Sequence, residues 1–95
     1  VKVIWAPQAI SDRDEIWAYI DEDNPVAAAQ VDERFSAAAA RLASFPELGK
    51  SGLIAGTREL TPYNNYRMVY EIAGDEVWIL AIVHTSRLWP PTSPQ

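Results

Sequence analysis

The 95-residue sequence contains no cysteine, one histidine (His84), one methionine (Met68) and two lysines, Lys2 and Lys50. Without cysteine there is no disulfide, no thiolate nucleophile and no zinc–thiolate site. A single histidine leaves no histidine-pair metal motif, and no carboxylate cluster has metal-ligand spacing. No metal and no cofactor are therefore expected. Gly49, Gly52 and Gly56 lack the strand–loop–helix context of a phosphate-binding loop. The longest apolar run, Val77 to Val83, is far too short to span a bilayer. No basic segment followed by an apolar stretch opens the chain. A cytoplasmic protein with no membrane contact is expected.

Basic residues are also scarce. Eight bases face thirteen acids, for a formal net charge of −5. Phosphate neutralisation needs clustered Lys and Arg, so direct DNA binding by the chain alone is disfavoured. The charge is unevenly spread. Residues 1–47 hold nine acids and four bases, whereas residues 48–95 hold four of each. Any anion-binding surface must come from the second half.

The pattern of the chain predicts the order β-αα-βββ. Val3, Ile4 and Trp5 form a short strand. Pro7 suits the first helical position, and Ile10, Ile16, Trp17 and Ile20 make an apolar stripe interrupted by Arg13. The run Asp21-Glu22-Asp23 should lie beyond that helix. Asn24-Pro25 restarts a helix, with Asn as cap. Ala28, Val31, Phe35, Ala38, Leu42 and Phe45 are spaced as the seam of two closely packed antiparallel helices. Pro46 ends it. Gly49 to Gly56 reads as loop. Thr57 to Thr61, Tyr66 to Ile72 and Glu76 to Val83 read as strands, with turns at Asn64-Asn65 and Gly74-Asp75. The expected fold class is α+β, a helical hairpin packed on one face of a small, mainly antiparallel sheet. One domain over residues 1–91 and a tail over 92–95 are expected.

Tight two-residue turns give strict registers. Ile72 would then face Val77, placing Tyr66, Met68, Tyr70, Ile72, Val77, Ile79, Ala81 and Val83 on the helix side. The opposite face would carry an apolar strip, Leu60, Val69, Trp78, Leu80 and Ile82, rimmed by Arg58, Arg67, Glu71 and His84. This register aims Glu59 at the helix side, which only a bulge or a slip relieves. The strip needs a cover. The tail with Leu88 and Trp89 is one candidate, and a partner segment laid in the groove is the other.

Catalytic chemistry is sparsely supplied. RNA cleavage needs a base, an acid and cations on the phosphate. Arg58, Arg67, His84 and Arg87 are the candidates for that set. Each has a plainer role available: Arg58 as a cross-strand partner of Glu71, contributing about 0.2–1 kcal/mol, Arg67 as a solvated or tyrosine-stacked residue, and His84 as a packed imidazole. No serine or cysteine triad is present.

The residues resemble the RelE/ParE superfamily of bacterial toxins from toxin–antitoxin modules. The matching segments are Trp5-Ala-Pro-Gln-Ala9 followed by Ile16-Trp-Ala-Tyr-Ile20, Asp23-Asn-Pro-Val-Ala-Ala28, Phe45-Pro-Glu-Leu-Gly49, Thr57-Arg-Glu-Leu60, Tyr66-Arg-Met-Val-Tyr70, and Val83-His-Thr-Ser-Arg87 before Trp89-Pro-Pro91. Their order and spacing together are specific, although each is short. The resemblance implies a toxin held inactive by a cognate ParD-like or RelB-like antitoxin, which wraps it with a helix and an extended segment. Leu60, Val69, Trp78, Leu80 and Ile82 are the expected antitoxin-binding strip, together with the surface of the helical hairpin.

The superfamily splits in activity. RelE-like members resemble one another as ribosome-dependent mRNA endoribonucleases, and ParE-like members lack that catalytic set and inhibit DNA gyrase. The RelE-like pattern has several lysines near the sheet, which this chain lacks. The resemblance is therefore closer to the ParE branch, with plasmid stabilisation and gyrase inhibition as the implied roles. The alternatives are a nuclease acting on the ribosome with mRNA through Arg58, Arg67, His84 and Arg87, and an inactive toxin-fold binding module.

Overall fold

A computed structural model describes residues 1–87, 89 and 90. Leu88, one of the two residues expected to cover the sheet, and the expected tail over 92–95 lie outside the described residues. The elements are β1 (Lys2–Trp5), α1 (Pro7–Asp21), α2 (Pro25–Ser44), β2 (Lys50–Ser51), β3 (Thr57–Tyr63), β4 (Tyr66–Ala73) and β5 (Glu76–His84). They form one five-stranded sheet of order β1-β5-β4-β3-β2, in which only β1 runs parallel to its neighbour. The expected α+β class with a helical hairpin on one sheet face is what the chain adopts. The added element is β2, two residues inside the segment read as loop.

The helices begin where their prolines allow. Pro7 opens α1 and Pro25 opens α2, each at a position whose N–H has no partner within a helix. Asn24 Oδ1 accepts the Ala27 N–H at 3.0 Å, so the cap of α2 is made as expected. Ala6 makes no side-chain cap; its N–H donates to Ile79 O instead and ties the start of α1 to β5. The apolar seam of α2 is buried at Ala28, Val31, Phe35, Ala38 and Leu42. Phe45, expected to continue it, is 64% exposed because α2 stops at Ser44.

Arg13, which broke the apolar stripe of α1, is the hinge pin of the hairpin. Its guanidinium engages both carboxylate oxygens of Asp32 on α2, the Asp32 carbonyl and the Ser36 hydroxyl. It also lies 4.8 Å from the centroid of the Trp5 ring. A forked, stacked arginine is favourable at such a half-buried seam because all of its planar surface is used.

Both expected two-residue turns are present, and each uses a left-handed residue: Asn65 at φ 76° and Gly74 at φ 63°. The strand registers differ from strict alternation. β4 and β5 pair as expected near the turn, with Ile72 opposite Val77 and Tyr70 opposite Ile79. Val69 then faces Ala81, so Leu80 is an extra residue. This is a β-bulge, and beyond it every β5 side chain changes face. Ile82 therefore enters the core, and Ala81 and Val83 move to the face without helices.

The bulge has a local cause. β1 ends at Trp5, so β5 beyond Ile79 loses its neighbour on that side. Asp12 of α1 takes the vacated place: its carboxylate accepts the Ile82 N–H at 3.0 Å. A buried backbone donor is thus satisfied by a helix side chain.

β3 is shifted by one residue from the expected register. Glu59 faces Val69 and Leu60 faces Met68, with an irregularity between Leu60 and Tyr63 around Pro62. Leu60 accordingly packs on the core with Val3, Trp5 and Tyr66, around the buried Met68, Tyr70, Val77, Ile79 and Ile82. Glu59 turns to the other face, which removes the conflict that the strict register created.

Candidate functional site

The two corrected registers divide the expected antitoxin strip. Leu60 and Ile82 belong to the core beneath the helices. Val69, Trp78 and Leu80 remain with the outer face or its bulge. Val69 has no exposure, and its partner Ala81 has 1%. Only Trp78 and Leu80 of the five are half-buried surface residues on or beside that face. Ile4 pairs with Trp78 in the parallel ladder and is half-buried beside it. The indole N–H of Trp78 donates to Glu76 at 3.2 Å.

The side chains of the nuclease candidates Arg58, Arg67 and His84 are not brought together. Arg58 is opposite Tyr70, on the helix side of the sheet, and not opposite Glu71. Its Nη1 donates to the carbonyls of Gly49 at 2.9 Å and Glu47 at 3.3 Å, so it holds the turn after α2. Tyr70 completes that turn. Its hydroxyl donates to Pro46 O and accepts the Gly49 N–H, both at 2.8 Å. A Cβ at Gly49 would lie 2.7 Å from Glu59 O and 2.8 Å from the Tyr70 hydroxyl, so this close approach requires glycine.

Arg67 lies on the outer face. Its Nη1 donates to Glu59 Oε1 at 2.9 Å, in a pair with side-chain exposures of 15% and 8%. Its Nη2 donates to Arg87 O at 2.6 Å. The Arg87 main chain is thus bonded to Arg67, and residue 87 itself is exposed.

His84 follows the bulge, opposite Tyr66. It therefore shares the helix side with Tyr66 and faces away from Arg67. The two rings meet edge to face at 5.7 Å, and Tyr66 meets Phe35 likewise at 6.0 Å. Nδ1 of His84 accepts the Ser86 N–H at 3.2 Å and lies 2.7 Å from the Ser86 hydroxyl. A neutral ring that accepts the Ser86 N–H at Nδ1 carries its proton on Nε2. Burial, and secondarily Tyr19, raises the Tyr66 pKa above its ordinary 10.0.

Two further surface features lie on the hairpin, and the apolar pattern alone does not distinguish them from core. One is a groove lined by Trp5, Ile10, Arg13, Asp14, Trp17 and Asp32, where Ile10 and Trp17 are 50% and 40% exposed. The other lies between α2 and the end of β3, with Val26, Ala29, Arg34 and Tyr63 on its walls. Arg34 sits 5.9 Å from the Tyr63 ring centroid. Among the described residues no group of three His, Asp or Glu side chains can hold a metal ion, and no helix is long and apolar enough to cross a membrane.

Comparisons with known proteins place this geometry. Residues 3–89 match the family described as the ParE toxin of the type II toxin–antitoxin system parDE. The protein Y4kP of Sinorhizobium fredii is 40% identical over 90 residues, covering 94% of this chain and 93% of its own. Toxin RelE2 of Caulobacter vibrioides is 36% identical over 87 residues, covering 92% and 98%. Among solved structures, the chromosomal ParDE system from P. aeruginosa superposes with a TM-score of 0.78 at 20% identity, over 88% of this chain and 95% of that one. The YoeB dimer from Staphylococcus aureus does so at 0.62 and 12% identity, with the same coverage. Those two likenesses concern the fold. The family match over residues 3–89 and the two relatives carry the conclusion: the chain belongs to the ParE toxin family of type II toxin–antitoxin systems, within the RelE/ParE superfamily.

Proposed function

We propose that this toxin acts by binding a protein target, DNA gyrase, and is neutralised by a cognate ParD-like antitoxin. Family membership implies the antitoxin. The reading of the target rests on one observation: the side chains of Arg58, Arg67 and His84 do not converge. Arg58 is spent on the turn after α2, Arg67 on Glu59 and a main-chain carbonyl, and His84 lies across the sheet from Arg67. A general base and a phosphate-binding cation must reach one scissile group together. The net charge of −5 also favours a protein surface over a phosphate-rich one. Purified toxin in a gyrase supercoiling assay tests this. Loss of supercoiling, reversed by the antitoxin, is expected, and full supercoiling at excess toxin sinks the proposal.

Antitoxin docking is assigned to Trp78 and Leu80 on the outer side, and to the exposed Ile10 and Trp17 on α1. Leu60 and Ile82 are withdrawn from that surface because they pack in the core.

The second reading is a ribosome-dependent ribonuclease. It is favoured by the relative named RelE2 and by exposed His84, whose ring is oriented by Ser86 and Tyr66. Primer extension on translated mRNAs after expression distinguishes it: discrete cleavage lost in His84→Ala supports the nuclease, and intact messages exclude it.

A further inference from the structure

Ile10, Asp14 and Trp17 stand three or four residues apart on α1, so they follow one another along one side of the helix. All three are exposed, and with Trp5, Arg13 and Asp32 they line one open groove. The ion pairs among the described residues are Arg13–Asp32 and Arg67–Glu59, and neither uses Asp14. The groove's own cation is already committed. Arg13 bonds to Asp32 and Ser36 and lies 4.8 Å from the Trp5 ring centroid.

We infer that this groove receives an arginine or lysine side chain from a basic, amphipathic segment of the antitoxin. Asp14 is its counter-ion, Trp17 is its stacking surface, and Ile10 seats an apolar neighbour one helical turn along. The inference rests on the reading of α1 as antitoxin-docking ground and adds the charge and rhythm of the docked segment. Residues three apart on a helix have Cβ atoms about 5–6 Å from each other, so one cation reaches both Asp14 and Trp17. Arg13 shows the same pairing inside the fold, held between the Trp5 ring and the Asp32 carboxylate. An uncharged apolar segment would also cover Ile10 and Trp17, but it would desolvate Asp14 without a partner. An acidic segment would add repulsion. Residues 1–47 hold nine acids against four bases, so the surrounding field favours a basic segment as well.

The probe is a blocked peptide, Leu-Ala-Ala-Arg repeated three times, with a second peptide carrying neutral citrulline in place of arginine. Each is titrated into the nitrogen-15-labelled whole protein. The arginine peptide should shift the Trp17 indole N–H and the Asp14 amide saturably, with a dissociation constant at least fivefold below that of the citrulline peptide. Asp14→Asn should reduce that preference to less than twofold while leaving the melting temperature unchanged, because Asp14 is exposed. Equal binding of the two peptides, no saturable shift at Trp17, or a preference that survives Asp14→Asn overturns the inference. Antitoxin affinity of Ile10→Asp separates this from the docking reading. If that affinity falls while the two peptides bind equally, docking on α1 stands and the cation site is refuted. If the arginine preference holds while the affinity is unchanged, the antitoxin is refuted as the occupant.

Discussion

Asp12 and Ile82, 70 positions apart in sequence, are joined by a hydrogen bond from the Ile82 N–H to the Asp12 carboxylate. The bond closes the edge of β5 where β1 has ended. It also stabilises the register on the far side of the Leu80 bulge, and with it the placement of Ile82 in the core. Asp12→Ala should destabilise the fold by about 1–3 kcal/mol, the cost of an unsatisfied buried donor. Asp12→Asn keeps a side-chain oxygen and should lose less than half of that. Urea unfolding of the two variants checks the order; equal losses would show that the carboxylate charge, not the acceptor, matters.

The turn between α2 and β2 is held by the Tyr70 hydroxyl as well as by Arg58. Tyr70→Phe leaves Pro46 O and the Gly49 N–H without their shared partner. A loss of about 1–3 kcal/mol is expected. Gly49→Ala should cost more than Tyr70→Phe, because the added carbon meets the backbone at Glu59 O as well as the tyrosine. Thermal unfolding of both variants tests the ranking.

The divided strip gives a sharp contrast for antitoxin binding. Trp78→Asp and Leu80→Asp change half-buried surface residues and should weaken the complex by tenfold or more while the free toxin stays folded. Ile82→Asp and Leu60→Asp place a charge in the core and should unfold the toxin, with losses of several kcal/mol. Circular dichroism and titration calorimetry separate the two classes. Unchanged antitoxin affinity in both Trp78→Asp and Leu80→Asp would move the interface to the hairpin.

Tyr66 gives a prediction in alkali. Its folded pKa is raised by burial first and Tyr19 second. The folded state thus holds its proton more tightly than the unfolded chain. That contribution is fully present below about pH 10 and is lost as pH rises through the folded value. The stability of wild type relative to Tyr66→Phe should therefore fall as the pH rises above about 10. A difference independent of pH over that range would mean Tyr66 does not titrate abnormally.

Most of the architecture was legible because local chemistry and periodicity agreed. Asn24-Pro25 and the spacing from Ala28 to Leu42 specify a capped helix with one buried face, and Asn64-Asn65 and Gly74-Asp75 specify two-residue turns. The faces of the sheet were harder. Val77 to Val83 is apolar throughout, so its pattern has no polar residue to mark the outer side, and a one-residue insertion leaves no trace in it. The signal that could have exposed the error was Glu59: strict alternation buried a carboxylate under the helices without a partner. Moving β3 by one residue gives it Arg67, and the same move takes Leu60 into the core. Arg13, read as an interruption, and Asp12 act through residues 19 and 70 positions away, a distance at which single-sequence patterns carry no information.

The bulge at Leu80 also fixes how β5 tolerates change. Before it, odd-numbered positions meet the core at Val77 and Ile79; after it, the even-numbered Ile82 does. A map of permitted residues along this strand would show two rhythms out of step by one. Straightening the bulge with Leu80 retained would turn Ile82 outward and Ala81 inward, whereas deleting Leu80 would leave both on the faces they already occupy, so one residue too many is what this strand is built to absorb.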